Sequence, residues 1–202
     1  MINITNLNKK FDDKILFNDF NCEIQDGEFC VFCGESGCGK TTLLNMIGCL
    51  EKPDSGSIII DGIDIWKYKN KRKLFSEKFG FLFQNFVLLE EKTVSQNLNI
   101  IQKGSRTDLT IDEILKEVGL SDKKNTPVYK LSGGEQQRVA LARLMLKKCD
   151  IIFADEPTGS LDDRNSDVVM NILHSINRSG KTIILVTHNN KIISNEKKVI
   201  HL

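Results

Sequence analysis

The sequence has no excess of charge of either sign. Its 202 residues include 28 lysines and arginines against 27 aspartates and glutamates, a formal net charge of +1 at pH 7. The two signs are interspersed, so the chain lacks the basic stripe with which nucleic-acid-binding domains attract phosphate backbones. We interpret the short basic run 67–73 as a solvated face, with contact to nucleic acid or lipid headgroups as the alternative. We therefore expect no nucleic-acid partner.

Long hydrophobic runs are also missing. No segment approaches the roughly 18 apolar residues that a membrane-spanning helix needs, and the start Met1-Ile2-Asn3-Ile4 lacks the basic-then-apolar order of a signal peptide. With 40% hydrophobic residues, the chain can still bury a substantial core. The absence of repeats and of low-complexity linkers predicts one domain covering residues 1–202. Without a membrane-spanning run or a signal peptide, we expect the chain to be cytoplasmic if it works alone.

The six cysteines do not form a recognisable metal or disulfide framework. Cys30 and Cys33 have C-x-x-C spacing. Residues three apart in a buried strand point to opposite faces, however, and neither a second pair nor a nearby histidine completes a site. We therefore expect these two cysteines to hold no metal.

What the sequence does contain is a phosphate-binding loop. Residues 34–41 read Gly-Glu-Ser-Gly-Cys-Gly-Lys-Thr and fit G-x-x-x-x-G-K-[ST], in which amides surround phosphates, the lysine bridges the outer two and the hydroxyl ligates Mg²⁺. An apolar strand-like run, 28–33, precedes the loop and a helical pattern follows it. The predicted nucleotide ligands are Gly34, Glu35, Ser36, Gly37, Cys38, Gly39, Lys40, Thr41 and Thr42. The Cys38 thiol would lie beside phosphate, open to oxidation or alkylation.

A second helix start also has anion-binding character. Within Leu131 to Arg138, Ser132 and Glu135 have the capping-box spacing, so a helix begins there. Gly133 and Gly134 leave its first amides unshielded at the positive end of the helix dipole. This arrangement predicts contact with a phosphate.

The remaining pattern predicts an α/β fold: a P-loop NTPase core with a mainly parallel sheet, an N-terminal antiparallel β subdomain and an inserted α-helical subdomain. Alternating apolar positions in residues 1–24 indicate antiparallel strands around the turn Asp12-Asp13. Capping-box spacings at Thr93 and Thr110 indicate a helical insert over about residues 93–148. After it, strand, amphipathic helix and strand follow in an order that implies a parallel sheet.

Candidate catalytic side chains stand at predicted strand ends. Asp155 and Glu156 end the run 151–154, and ligands of parallel sheets bind at the carboxyl ends of strands. We expect Asp155 to hold Mg²⁺ against the Thr41 hydroxyl. Glu156 is either a solvated carboxylate or, as we expect after a phosphate loop, the general base that orients the attacking water.

Three further residues are candidates by position. Gln84 ends the run 79–83 and could sense Mg²⁺ or water, and His188 follows the run 182–187 and could donate an N–H to the γ-phosphate. Phe11 in the first hairpin could stack on adenine. Each has an ordinary alternative: a surface glutamine, a turn histidine and an aromatic ring packed into the core.

In this order the motifs resemble those of the ATP-binding-cassette ATPases, over nearly the whole chain. The resemblance makes Leu131 to Arg138 the family's signature segment, and it implies a head-to-tail dimer in which this segment faces the nucleotide of the partner. It assigns Lys40 to the phosphates, Thr41, Gln84 and Asp155 to Mg²⁺, Glu156 to water activation and His188 to the γ-phosphate. It also assigns Ser132, Gly133 and Gly134 to the partner's nucleotide and gives Ser160 to Asp162 a coupling role at the dimer interface.

A finer resemblance is to the subgroup that powers macrolide export, lipoprotein release and bacteriocin export. It is carried by the segments 79–89 and 155–162 and by the pair Gln136-Gln137. Two features depart from that pattern: Phe11 stands where many members have Tyr, and only fourteen residues follow His188. The second departure implies a shortened C-terminal hairpin and no fused regulatory domain.

The resemblance implies an ATP-hydrolysing subunit that drives a separate integral-membrane permease. ATP and Mg²⁺ would be its cofactors, and it would sit on the inner face of the cell membrane through that permease. The permease groove would lie around residues 86–91. The alternatives are a non-transport ATP switch of the DNA-repair or translation type and a nucleotide-binding regulator without turnover. Such switches usually carry a coiled-coil insertion or two cassettes, and Glu156 disfavours the regulator.

Overall fold

The computed structural model describes all 202 residues and contains two sheets, of which the first is antiparallel. Its strands are β1 (Ile2–Phe11), β2 (Lys14–Ile24), β4 (Ser55–Ile60) and β5 (Ile63–Asp64). They lie in the order β2-β1-β4-β5. The predicted hairpin is confirmed, because β1 and β2 pair antiparallel across Asp12-Asp13. Asp12 has φ 49°, a left-handed conformation that aspartate tolerates.

The second sheet is parallel throughout and forms the core of the molecule. Its strands are β3 (Phe29–Cys33), β6 (Phe79–Leu82), β7 (Ile151–Asp155), β8 (Thr182–Val186) and β9 (Lys198–His201). They lie in the order β6-β7-β8-β3-β9, and every neighbouring pair is parallel. The predicted parallel α/β core is therefore confirmed.

The expected C-terminal hairpin is wrong. After His188 the chain forms the helix α7 (Asn190–Asn195) and then β9, which pairs parallel with β3. The helix carries the chain back along the sheet, so the last strand enters in the same direction as its neighbour.

Three of the other helices begin where the capping signals predict. The full set is α1 (Lys40–Ile47), α2 (Lys71–Lys73) with a π-helical turn (Leu74–Lys78), α3 (Val94–Leu98), α4 (Ile111–Glu117), α5 (Gly133–Leu146) and α6 (Asp163–Arg178). Complete capping boxes start α3 at Thr93, α4 at Thr110 and α5 at Ser132. Residues 93–148 thus hold helices and turns, and their separation as a subdomain stays a prediction.

The parallel sheet is buried on both faces. Alternate residues of β8 divide between two apolar clusters: Ile183 and Leu185 pack with α3 to α6, whereas Ile184 and Val186 pack with α1 and the antiparallel sheet. Nearly continuous apolar strands are typical of this arrangement. Polar chemistry is therefore confined to the sheet's edges and strand ends. None of the helices combines the length and apolar character needed to cross a bilayer.

Candidate functional site

The phosphate loop lies between the end of β3 and the start of α1. Its glycines at positions 34, 37 and 39 all have positive φ, at 151°, 79° and 106°. At Gly39 an added Cβ would also lie 2.9 Å from Cζ of Phe17, so glycine is required there. No side chain caps the start of α1, which leaves its first amides available to an anion.

The side chain of Lys40 is folded over this loop. Its Nζ donates to the carbonyl oxygens of Gly34 at 2.9 Å and of Glu35 at 2.8 Å, and it lies 3.9 Å from Sγ of Cys38. Lys40 is only 9% exposed. A buried ammonium held by backbone carbonyls at this point is available to the outer phosphates of a nucleotide.

A set of oxygen atoms beside the loop fits Mg²⁺. The Thr41 hydroxyl donates to Oδ1 of Asp155 at 3.0 Å, across 114 residues of sequence. Burial raises the pKa of Asp155, and the Thr41 hydrogen bond offsets part of this rise. Gln84 lines the same cavity as Thr41 and adds an amide oxygen. Hydroxyl, carboxylate and amide oxygens are the donors that a hard divalent cation prefers.

Both carboxylate oxygens of Glu156 are engaged. Nδ1 of His188 lies 2.7 Å from Oε1, and the hydroxyl of Thr187 donates to Oε2 at 3.2 Å. Glu156 itself has φ 44°, an uncommon left-handed conformation for a residue with a side chain. Its N–H donates to the carbonyl of Val186 at 3.0 Å. The carboxylate is therefore aimed by its backbone and by two neighbours that follow β8.

Most of the predicted residues share one cavity of about 700 Å³. From the predicted set, it is lined by Phe11, Gly34, Glu35, Ser36, Gly37, Gly39, Lys40, Thr41, Thr42, Gln84, Glu156 and His188. Cys38 and Asp155 do not line it but contact Lys40 and Thr41, which do. The candidate nucleotide site thus forms from segments that are far apart in the sequence.

The cavity mouth also contains two residues that the sequence analysis missed, Lys14 and Leu16. Nζ of Lys14 donates to the carbonyl of Gly37 at 2.9 Å. Phe11 pairs with Lys14 across the hairpin and is 46% exposed, so the alternative of a ring packed into the core is wrong. The sequence feature that could have indicated Lys14 is its position directly opposite Phe11 across the short turn of the predicted hairpin.

The remaining candidates lie elsewhere, and two of them, Gly134 and Asp162, are next to Asn165. The backbone N–H of Asn165 donates to Asp162 at 2.8 Å, and Nη1 of Arg138 donates to its Oδ1 at 3.1 Å. A Cβ at Gly134 would lie 2.5 Å from that same Oδ1, so the bare glycine lets α5 approach α6. Ser132, Gly133, Gly134 and Asp162 do not line the cavity that contains Lys40. Asn165 was missed, although it stands three residues after a helix-capping aspartate.

A second cavity of about 780 Å³ opens between the end of α4 and the helices α5 and α6. It is slightly larger than the first, but it contains none of the phosphate-loop residues and neither Glu156 nor His188. We therefore assign the nucleotide to the smaller cavity on chemical grounds.

One expectation about cysteine needs correction. The sequence shows no histidine near Cys33, but the structure places Nδ1 of His201 3.2 Å from its Sγ. The contact arises because β9 pairs with β3 in a register that sets His201 opposite Cys33. No group of three or more potential metal ligands forms there or elsewhere.

Comparison with known families identifies the fold. The family model described as ABC transporter matches residues 17–159, well over half of the chain. The chain belongs to the ABC transporter family. It is an ATPase of this family, with ATP and Mg²⁺ as cofactors, and the family and fold class predicted from its motifs are confirmed.

Curated relatives of this ABC cassette are of two lengths. An uncharacterized ABC transporter ATP-binding protein, YvrO of Bacillus subtilis, is 39% identical over 200 residues, covering 93% of the chain and 87% of the relative. The macrolide export ATP-binding/permease protein MacB of Neisseria meningitidis is 37% identical over 213 residues, covering all of the chain and 33% of the relative. The chain therefore spans about a third of the length of its MacB relatives.

Solved cassettes share the architecture. The dimeric post-hydrolysis structure of the ATP-binding cassette MJ0796, bound to ADP and Pi, superposes with a TM-score of 0.84 at 34% identity, covering 100% of this chain and 94% of that one. A bacterial Atm1-family ABC exporter with ATP bound superposes with a TM-score of 0.86 at 27% identity, covering 100% of this chain and 36% of that one.

Proposed function

We propose that this ABC cassette hydrolyses ATP as a head-to-tail dimer and powers a membrane permease. The observation that carries the proposal is the separation of two phosphate-binding features within one chain. Lys40 and its loop line one cavity, whereas Ser132 and Gly134 lie outside it, and Gly134 packs against Asn165. In a head-to-tail dimer the signature segment of each chain would complete the site of the other. The solved MJ0796 cassette is dimeric, which supports a dimer here.

Within each site the loop would hold the triphosphate. Backbone amides of residues 34–42 and the Lys40 ammonium would bind its oxygens, and the exposed ring of Phe11 would stack on the adenine. Thr41, Gln84 and Asp155 would hold Mg²⁺, which when bound offsets the charge on the phosphate oxygens. The second chain would add Ser132 and the amides of Gly133 and Gly134, with Asp162 at the interface.

Glu156 would act as the general base toward the attacking water. With Thr187 at Oε2 and His188 at Oε1, the carboxylate has a fixed direction, and one acceptor position on each oxygen is occupied. When Nδ1 of His188 donates to Glu156, that N–H is not available to the γ-phosphate. We therefore propose that nucleotide binding draws His188 away from Glu156. This exchange would leave both lone pairs of Oε1 open to the attacking water.

The permease would dock on the turn after Gln84. Val87 and Leu89 are each 52% exposed there and offer two apolar side chains to a partner. The subgroup resemblance and the MacB relatives favour a permease that exports or extracts a macrolide-like, peptide or lipoprotein-type substrate. The cassette would then act at the inner face of the membrane. Cysteines at position 87 or 89 should crosslink to a cytoplasmic helix of the permease, and a cysteine at the exposed Ile15 should not.

Glu156→Gln tests the dimer. The variant keeps the shape of the side chain but cannot take a proton, so it should bind ATP without turnover and accumulate as a dimer. Sedimentation in saturating ATP and Mg²⁺ measures this, and the same variant without nucleotide should be monomeric. Glu156→Gln combined with Lys40→Ala is the matched control and should stay monomeric. A purely monomeric Glu156→Gln protein in saturating ATP contradicts the shared site.

A further inference from the structure

The turn that follows Gln84 is held by a side chain from helix α5. Arg143 donates from Nη1 to the carbonyl of Val87 at 2.6 Å and from Nη2 to the carbonyl of Phe86 at 2.9 Å. One guanidinium therefore donates hydrogen bonds to two successive peptide groups. The planar fork of arginine suits this paired contact in a way that a lysine ammonium does not.

This turn has a strained backbone. Phe86 has φ 59° and Val87 has φ 49°, so two successive residues with side chains are left-handed. The conformation is disfavoured for any residue other than glycine, and most strongly for a β-branched one such as valine. The N–H of Val87 also donates to the carbonyl of Asn85 at 2.6 Å, which tightens the turn further. Such a conformation persists only where surrounding contacts hold it.

The environment of Arg143 indicates that holding this turn is its main role. The guanidinium is half-buried, its hydrogen bonds go to the two carbonyls, and it forms no ion pair with a carboxylate. Burial lowers the pKa of Arg143 below its ordinary value. The two carbonyls therefore supply the polar partners that a partly buried guanidinium needs, and the turn and Arg143 depend on each other.

We propose that Arg143 is a positioning residue, which fixes the Phe86–Val87 turn and thereby holds Gln84 at the rim of the phosphate cavity. Gln84 is exposed and lines that cavity, and the strained turn begins two residues after it. Helix α5 also begins at the Ser132 cap. Helix α5 would thus connect the signature segment, which meets the partner's nucleotide, to the turn after Gln84 in its own chain. This connection rests on the proposed dimer, whereas the positioning of Gln84 by Arg143 does not.

A double-mutant cycle on ATP turnover tests the proposal. Arg143→Lys keeps the charge and loses the fork, and it should lower kcat per folded molecule about tenfold with little change in KM, since Arg143 itself does not line the cavity. In a Gln84→Ala background, adding Arg143→Lys should lower kcat by less than about twofold, because the side chain that Arg143 positions is already absent. An equal loss in both backgrounds would overturn the proposal.

The Gln84→Ala variant separates two kinds of failure. If it lowers kcat while the effects add, Gln84 keeps its proposed role and only the link to Arg143 fails. If it leaves kcat unchanged, the role of Gln84 in the proposed function fails, and the inference with it.

Two further variants distinguish positioning from a structural role. Arg106 also donates to backbone carbonyls, to Ile101 at 2.8 Å and to Asn99 at 3.3 Å, so Arg106→Lys is the matched control. It should lower the melting temperature without changing kcat.

A rescue variant acts on the turn itself. Asparagine adopts left-handed backbone more readily than valine, so adding Val87→Asn to Arg143→Lys should raise kcat several-fold above that of Arg143→Lys alone. A lower melting temperature with unchanged kcat in Arg143→Lys would overturn the proposal.

The turn can also be broken without touching Arg143. Val87→Pro fixes φ near −65° and so excludes the left-handed conformation. It should reproduce the loss of kcat and be non-additive with Gln84→Ala, which keeps the test available even if Arg143→Lys does not fold. Full activity of Val87→Pro would contradict the inference.

Discussion

The hydroxyl of Thr187 donates a hydrogen bond to Oε2 of Glu156 at 3.2 Å, from a side chain that is completely buried. With His188 at Oε1, it fixes both oxygens of the carboxylate that we propose as the general base. Thr187 does not line the nucleotide cavity, so its influence on turnover would pass through Glu156.

Thr187→Val should therefore lower kcat and leave the KM for ATP nearly unchanged. Valine keeps the shape and removes the donor, so the carboxylate loses one of two contacts that aim it; we expect a loss of about tenfold. Steady-state kinetics of the purified ATPase measure both constants.

Thr182→Val is the matched control, because Thr182 is a buried threonine at the other end of β8 whose hydroxyl accepts from the N–H of Gly27 at 3.0 Å. It should cost about 1–2 kcal/mol of unfolding free energy with no change in kcat. Equal kcat for Thr187→Val and the wild-type protein would exclude the positioning role of Thr187.

Lys40→Ala should remove ATP hydrolysis and weaken nucleotide binding. The ammonium lies over the phosphate loop, where negative charge accumulates during phosphoryl transfer. Fluorescence titration with a labelled ATP and a phosphate-release assay measure the two effects. Lys10→Ala removes an exposed lysine of the same hairpin as Phe11 and should change neither. Normal hydrolysis by Lys40→Ala would reject the assigned site.

The cysteines should differ sharply in their reactivity. Burial raises the pKa of Cys30 to about 12 and those of Cys22 and Cys49 to about 11. At pH 8 their reactive thiolate fraction is therefore on the order of one in a thousand or less, and labelling rises only as the pH approaches these values. Cys38 is half-exposed in the phosphate loop.

Iodoacetamide at pH 8 should accordingly modify Cys38 first, and saturating ATP should slow that modification. Peptide mass spectrometry follows each site, and the denatured chain, in which all cysteines react, provides the reference. Labelling of Cys30 in the native protein as fast as that of Cys38 would show that the strand β3 is not buried as described.

Structural features that depend on residues close together in the sequence could be predicted well. The capping spacings at Thr93, Thr110 and Ser132 each start a helix in the structure, because a capping box depends on residues only three positions apart. The phosphate loop and the first hairpin are local for the same reason. The second phosphate contact at Ser132 also had a local signal, but its assignment to the nucleotide of a partner was implied by the family resemblance alone.

Features made by long-range pairing could not be predicted. The contact of Cys33 with His201 depends on the register of β9 against β3, and the grip of Arg143 on Val87 joins positions 56 residues apart. No spacing rule marks such partners. Thr187 and Asn165 were easier to predict, because Thr187 is adjacent to the predicted site residue His188 and Asn165 lies three residues after Asp162.

In the proposed dimer each active site is shared between two chains, and mixing two inactive variants tests this sharing. Lys40→Ala disables the phosphate loop, and Ser132→Arg places a bulky cation at the signature segment; each variant alone should be inactive. Mixed dimers retain one site built from two intact halves, so an equal mixture should recover up to about a quarter of wild-type ATP turnover. A mixture no more active than the sum of the two separate variants would contradict the shared site.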